Sequence, residues 1–195
     1  TMAEAYLSSL GFSEAELHKV KVRYGRKFEP DVENRIKPFL EWLSHLGLTD
    51  LQVRKLVADW PMAFRSHLEE TSKPVVLWLK DMGMDGSQLK KTIVGCPSIL
   101  GLTLAENVKP MVQWWKELGM DDSQVAKTIV KFPSLMGCSL EENLKPRVQW
   151  LKGLGMDDSQ VAKTIVMFPN LMAYSPEDNL KPKVEILREY DFTDI

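Results

Sequence analysis

The sequence has few of the residues that build metal, disulfide or catalytic centres. Its 195 residues include three histidines and two cysteines, Cys96 and Cys138, which form no CxxC pair. This composition argues against a structural zinc site and against a disulfide framework. A Ser/His/Asp arrangement, paired carboxylates in an apolar setting and a glycine-rich phosphate loop are also missing. The sequence therefore predicts a non-catalytic protein with no metal site and no cofactor.

Long hydrophobic runs and an excess of positive charge are missing as well. No apolar run approaches the length of about 18 residues that a membrane-spanning helix needs. Seven arginines and a net charge of −2 do not indicate a strongly basic nucleic-acid binder. The chain begins Thr1-Met2 without an Arg- and Ser-rich transit segment, so we expect any targeting presequence to be absent from it.

The sequence does contain a tandem repeat, which extends from end to end. Lys-Pro pairs recur every 36 residues, and segments 109–144 and 145–180 are identical at 27 of 36 positions. We predict one solenoid domain over 1–195. It comprises a divergent N-terminal cap unit 1–36, repeats 37–72, 73–108, 109–144 and 145–180, and a partial C-terminal unit 181–195.

Each repeat is predicted to form two helices. In 145–180, Pro146 suits the first turn of a helix and Gly155 a left-handed stop. Asp157 and Gln160 form a capping box that begins the second helix. The same box recurs at Ser13/Glu16, Thr49/Gln52, Asp85/Gln88 and Asp121/Gln124. One helix pair cannot bury its apolar faces alone, so the pairs must stack. The predicted fold is all-α, a right- or left-coiled α-solenoid of about five repeats.

The repeat resembles that of the mitochondrial transcription termination factor (mTERF) family. The resemblance is carried by Asn-Leu-Lys-Pro, by the Leu-Gly end of the first helix and by the Phe-Pro-Ser-Leu-Met-Gly corner at 132–137. It covers essentially the entire chain and implies two helices and a 3₁₀ turn per repeat, coiled into a superhelical arc. It also implies a nuclear-encoded protein of mitochondria or plastids that binds organellar DNA or RNA along a basic groove.

Two rows of lysines recur at the repeat spacing and are the candidate nucleic-acid-binding residues. A lysine on the second helix lies opposite the predicted buried stripe, which in 145–180 is Val161, Ile165 and Phe168. This row is Lys55, Lys91, Lys127 and Lys163, and the second row, on the first helix, is Lys80, Lys116 and Lys152. Stacking would align each row into a basic stripe with rungs about 8–10 Å apart. The carboxylates are expected elsewhere, at caps and first helical turns. The alternative interpretation of either row is a solvated helix face.

A tryptophan recurs on the first helix, at Trp42, Trp78, Trp114 and Trp150. Because this position falls at the edge of the buried arc, packing between repeats is favoured over stacking on exposed bases. Trp115 replaces a core leucine and is predicted to be buried.

Two functions stay open from the sequence. The first is a non-catalytic organellar binding module that contacts the backbone of double-stranded DNA or RNA through the basic rows, in organellar gene expression. The second is a protein–protein scaffold or peripheral assembly subunit of a large organellar complex, such as a ribosome or a photosynthetic or respiratory assembly. The family resemblance favours the first. The negative net charge and the apolar C-terminal segment around Tyr190, Phe192 and Ile195 favour the second.

Overall fold

The computed structural model describes residues 1–25 and 27–190, and this part of the chain is helical without strands. The helices are α1 Met2–Ser9, α2 Glu14–Tyr24, α3 Lys37–His45, α4 Asp50–Asp59, α5 Lys73–Asp81, α6 Gly86–Gly95, α7 Lys109–Glu117, α8 Asp122–Lys131, α9 Lys145–Gly153, α10 Asp158–Met167 and α11 Lys181–Glu189. Odd-numbered helices are the first helices of the repeats and even-numbered ones are the second. The predicted all-α fold of repeated helix pairs, of the α-solenoid class, is confirmed.

The helix ends follow the sequence signals. All five second helices carry the predicted capping box, with reciprocal hydrogen bonds between the N-cap residue and the residue three positions on. From α3 onward, each first helix begins with Lys-Pro. The glycine between the two helices adopts a positive φ in every pair, from 82° at Gly47 to 101° at Gly155. A side chain would be strained there, so these glycines fix the turn.

Short turns of two kinds connect the repeats. A 3₁₀ turn follows each of α4, α6, α8 and α10, as the family resemblance implies. A single π turn precedes each first helix from α3 onward; Leu140–Leu144 is one example. It is closed by the Leu144 N–H donating to the Ser139 carbonyl at 3.2 Å. A short helical turn therefore joins repeat 109–144 to repeat 145–180.

The chain forms two compact units, Thr1–Glu106 and Asn107–Ile195. In the first unit α2 packs on α4 and α4 on α6, and in the second unit α8 packs on α10. Val161 and Ile165 of α10 are fully buried, as predicted. The assignment of the whole chain to one solenoid domain with a cap unit stays a prediction.

The prediction that Phe168 is buried is wrong, because its side chain is 58% exposed. The equivalent Trp60 lies against the 3₁₀ turn of the following repeat, where a Cβ on Gly101 would come within 2.6 Å of its ring. Within the described residues, no later 3₁₀ turn is present to cover Phe168. The residue ends the second helix of 145–180 and leaves its ring facing solvent.

Candidate nucleic-acid interface

The second helices present one lysine each on the face opposite the core. Lys127 in α8 stands between Val125 and Ile129, two residues away on either side and both fully buried. Since residues two apart on a helix differ by about 200° in direction, the Lys127 side chain points to solvent. The same position on the other second helices is also exposed. We call these residues the second-helix lysines: Lys55, Lys91, Lys127 and Lys163.

Packing within each unit places these lysines at equivalent positions of helices that are in contact. In the first unit, α4 with Lys55 contacts α6 with Lys91. In the second unit, α8 with Lys127 contacts α10 with Lys163. Packed helices have axes about 8–10 Å apart, so each pair places two ammonium groups on one surface.

The second-helix lysines are not neutralised by their own helices. The positions three and four residues from Lys127 hold Ser123, Gln124, Val130 and Lys131, none of which is a carboxylate. Residues at these spacings are the neighbours that would form an ion pair on a helix surface. In the part of the chain that the structure describes, the second-helix lysines form no ion pair and no hydrogen bond. Their charges are therefore available to a partner.

Lys55 has an aspartate four residues on, but that carboxylate is already engaged. Asp59 accepts a hydrogen bond from Arg23 of α2, with 2.9 Å between Arg23 Nη1 and Asp59 Oδ1. The same guanidinium nitrogen donates to the Ala58 and Asp59 carbonyls. This contact ties α2 to the end of α4.

Two of the three lysines in the second candidate row, on the first helices, are paired with aspartates. Lys116 Nζ lies 2.6 Å from Asp122 Oδ1, and Lys152 forms the same ion pair with Asp158. These pairs join the end of a first helix to the first turn of the second helix in the same repeat. The expectation that the carboxylates stand apart from both lysine rows is therefore wrong here. Lys80, the third member of the row, is exposed and forms no ion pair among the described residues.

Lysines at the start of the first helices are mostly engaged in structural pairs. Lys37 binds Glu33 and Lys145 binds Glu141, each with 2.5 Å between Nζ and Oε1, and Lys73 and Lys181 have equivalent partners. The hydrogen bond to Glu33 raises the pKa of Lys37. Each pair joins a π turn to the helix after it. These lysines contribute to the fold and are poor candidates for a binding surface.

Two basic side chains have a role that the sequence did not indicate. Arg23 and Lys131 occupy equivalent positions at the ends of α2 and α8. Each donates to carbonyls at the end of the next second helix, Lys131 Nζ to the Val166 oxygen at 2.9 Å. Basic groups are favourable at a helix C-terminus. The signal for this contact was a basic residue recurring in the last turn of two second helices.

The row of tryptophans on the first helices, Trp42, Trp78, Trp114 and Trp150, is neither fully buried nor fully exposed. Its four tryptophans are half-buried, whereas Trp115 is 1% exposed, as predicted. The ring of Trp42 packs on Phe39, with 5.8 Å between ring centroids. Ile186, at the fifth position of the row, is 54% exposed. Tyr190 of the apolar C-terminal segment is 73% exposed, and Phe192 and Ile195 lie outside the described residues.

A groove in the N-terminal unit has mixed charge. It has a volume of about 340 Å³ and is lined by side chains of both signs, including Lys37, Asp50 and Arg54, together with His45. Arg54 Nε is 3.9 Å from Glu16 Oε1, so its charge is partly satisfied. This groove lacks the single sign of charge that a phosphate backbone needs.

Comparison with protein families matches the chain to the mTERF family model over residues 5–194. The match begins within α1 and continues past the end of α11. A search of curated proteins finds no match. Over residues 1–25 and 27–190, each helix falls short of the length and hydrophobicity that crossing a membrane requires. The same residues hold no cluster of three metal-ligating side chains.

Proposed function

The chain belongs to the mTERF family, and on that premise we propose that it is a non-catalytic module that binds the nucleic-acid backbone through its second-helix lysines. The family consists of helical-repeat proteins that bind nucleic acid and are typically organellar. We place this chain in a mitochondrion or plastid, in organellar gene expression. Its ligand would be double-stranded DNA or RNA.

The observation that carries the proposal is the contrast between paired and unpaired lysines. Four of the five lysines at the helix junctions, all except Lys109, and the lysines at the ends of α7 and α9 have carboxylate partners within the fold. The second-helix lysines have none in the described structure, although they recur at the same spacing and stand on helices that pack on each other within each unit. Isolated ammonium groups that the fold does not use are suited to phosphate oxygens.

The chemistry of lysine defines the type of contact. An ammonium is a point charge on a flexible stem, and it lacks the planar fork with which arginine reads a guanine edge or grips a phosphate. Contacts of this kind position a protein on the backbone without reading sequence. We therefore expect binding that depends weakly on base sequence and strongly on salt.

The experiment measures binding to labelled duplex DNA, structured RNA and single-stranded RNA by fluorescence anisotropy across a salt series. Each phosphate contact on duplex DNA contributes about 0.9 to the slope of log K against log salt. The double substitutions Lys55/Lys91→Gln and Lys127/Lys163→Gln should each make that slope less steep, by about 1.8. The matched control is Lys116/Lys152→Gln, which removes the same charge from lysines already paired with aspartates and should leave the slope nearly unchanged.

The result that rejects the proposal is equally definite. If the wild-type protein binds none of the three probes at about 50 mM salt, where backbone contacts are strong, the second-helix lysines do not bind phosphate. The second-helix lysines would then be a solvated face. The scaffold function would become the better hypothesis, to be pursued with protein partners of a large organellar complex.

A further inference from the structure

The repeats differ in charge although they share one fold. Repeat 73–108 has four lysines against three carboxylates and is the one with a net positive charge. Repeats 37–72 and 109–144 each have four basic residues against five carboxylates, and 145–180 has four against four. The difference in net charge is small. It arises in part at positions where, in the sister repeats, an aspartate pairs with a lysine.

Lys80 has lost the partner that its equivalents keep. In 109–144 and 145–180, the lysine at the end of the first helix pairs with an aspartate in the first turn of the second helix. In 73–108 that aspartate is replaced by Gly86. A Cβ built on Gly86 meets no atom within 4 Å, so the place beside Lys80 is open. Lys80 is exposed and has no ion pair in the described structure.

Lys90 adds a second cation to the same edge of α6. It lies four residues after Gly86 and therefore one turn further on the same face. Its Nζ is 3.7 Å from the position that a Cβ on Gly47 would occupy, next to the end of α3. The equivalent position is Ala126 in 109–144 and Ala162 in 145–180.

The carboxylate that accompanies a cation at this position is also missing. In 37–72 the equivalent of Lys90 is Arg54, which faces Glu16 of the preceding second helix. The residue that corresponds to Glu16, one repeat later, is Gln52, which has no charge. Lys90 thus has neither an acidic partner on its own repeat nor the one that its equivalent uses.

From these replacements we propose that repeat 73–108 is the main phosphate-binding repeat, with Lys80, Lys90 and Lys91 contacting the backbone of a duplex nucleic acid. This inference rests on the proposed function and adds which of the repeats binds the nucleic acid most strongly. Three unpaired lysines belong to α5 and α6, which are in contact. At the positions equivalent to these three, repeats 109–144 and 145–180 keep one unpaired lysine each, because alanine replaces Lys90 and an aspartate neutralises the equivalent of Lys80.

The test moves a single carboxylate between repeats. Gly86→Asp installs the aspartate that the sister repeats carry, and it should pair with Lys80 without altering any lysine. We expect affinity for labelled duplex DNA to fall about ten-fold at about 50 mM salt, with the salt slope reduced by about 0.9. Asp122→Gly should free Lys116 and raise affinity by a similar factor. Thermal unfolding checks the fold, and Gly86→Asp should be at least as stable as wild type.

Substitution of the lysines themselves gives an independent measurement. Lys80→Gln and Lys90→Ala should weaken binding, whereas Lys116→Gln should have little effect. If the wild type binds duplex DNA but Lys80→Gln and Lys116→Gln have equal effects, and Gly86→Asp has none, the special role of 73–108 is refuted and the proposed function stands. If the wild type does not bind, both fail together.

Discussion

The hydroxyl of Thr92 in α6 yields a prediction about stability. Thr92 is fully buried, and among the described residues its Oγ1 has no hydrogen-bond partner. Burial of a hydroxyl without a partner costs about 1–3 kcal/mol. Valine has the same branched shape, and burial of its additional methyl contributes about 0.8 kcal/mol. Because both terms act in the same direction, we expect Thr92→Val to raise the free energy of unfolding by about 2–4 kcal/mol.

The next repeat supplies a matched control. Thr128 occupies the equivalent position and is equally buried, but its Oγ1 donates to the Gln124 carbonyl at 2.9 Å. Thr128→Val removes that hydrogen bond, which contributes about 0.5–1.5 kcal/mol, and gains the same methyl. Its stability should therefore stay within about 1 kcal/mol of wild type, on the lower side. The equivalent Leu56 in 37–72, which is 1% exposed, shows that an apolar residue packs well here.

Urea unfolding followed by circular dichroism measures both variants. The midpoint should increase for Thr92→Val with an unchanged slope, since the surface exposed on unfolding is the same. In a thermal experiment, each kcal/mol corresponds to about 2–4 °C for a chain of this size. A Thr92→Val protein no more stable than Thr128→Val would show that the Thr92 hydroxyl is not an unpaired buried group, and the reasoning would be refuted.

Two further predictions concern packing and pH. Gly101→Ala should lower the free energy of unfolding by about 1–3 kcal/mol, because its Cβ would lie 2.6 Å from the ring of Trp60. Gly137→Ala, with no atom within 4 Å of the new Cβ, is the control, and equal urea midpoints would contradict the argument. The Ser13 N–H donates to the Glu16 carboxylate at 2.7 Å and holds the pKa of Glu16 below 4.5. The lowered pKa contributes stability that is present above about pH 4.5 and lost as the pH falls through the folded-state pKa. Glu16→Gln has no carboxylate to protonate, so it should lose less stability than the wild type between about pH 6 and about pH 3, measured by urea unfolding.

The sequence predicted the helices well because the signals that begin and end them are local. A capping box involves two residues three positions apart, and a glycine with positive φ ends a helix through its own backbone. Asp157 with Gln160 and Gly155 therefore predicted the start of α10 and the end of α9 correctly. Repetition strengthened these assignments, because each signal recurs at the same spacing.

The electrostatic state of the lysines could not be predicted in the same way. Lys116 and Lys127 both lie on a helical wheel as exposed cations in regular rows. Whether each is neutralised depends on a contact between two helices, and such contacts result from tertiary packing. The ion pair of Lys116 with Asp122 connects residues on α7 and α8. Phe168 shows the same limit, since its exposure depends on whether a later turn of the chain packs over its ring.

Near-identical repeats make the exceptions informative. A residue shared by all repeats is explained equally well by packing and by binding, because duplication copies both. A residue that changes while the surrounding helix pair keeps its geometry is not required by the fold. Gly86 is such a residue, because the capping box of Asp85 and Gln88 forms without the aspartate found at Asp122 and Asp158. The charge that this change leaves on Lys80 is therefore a property that the fold does not need, and binding is the function that can use it.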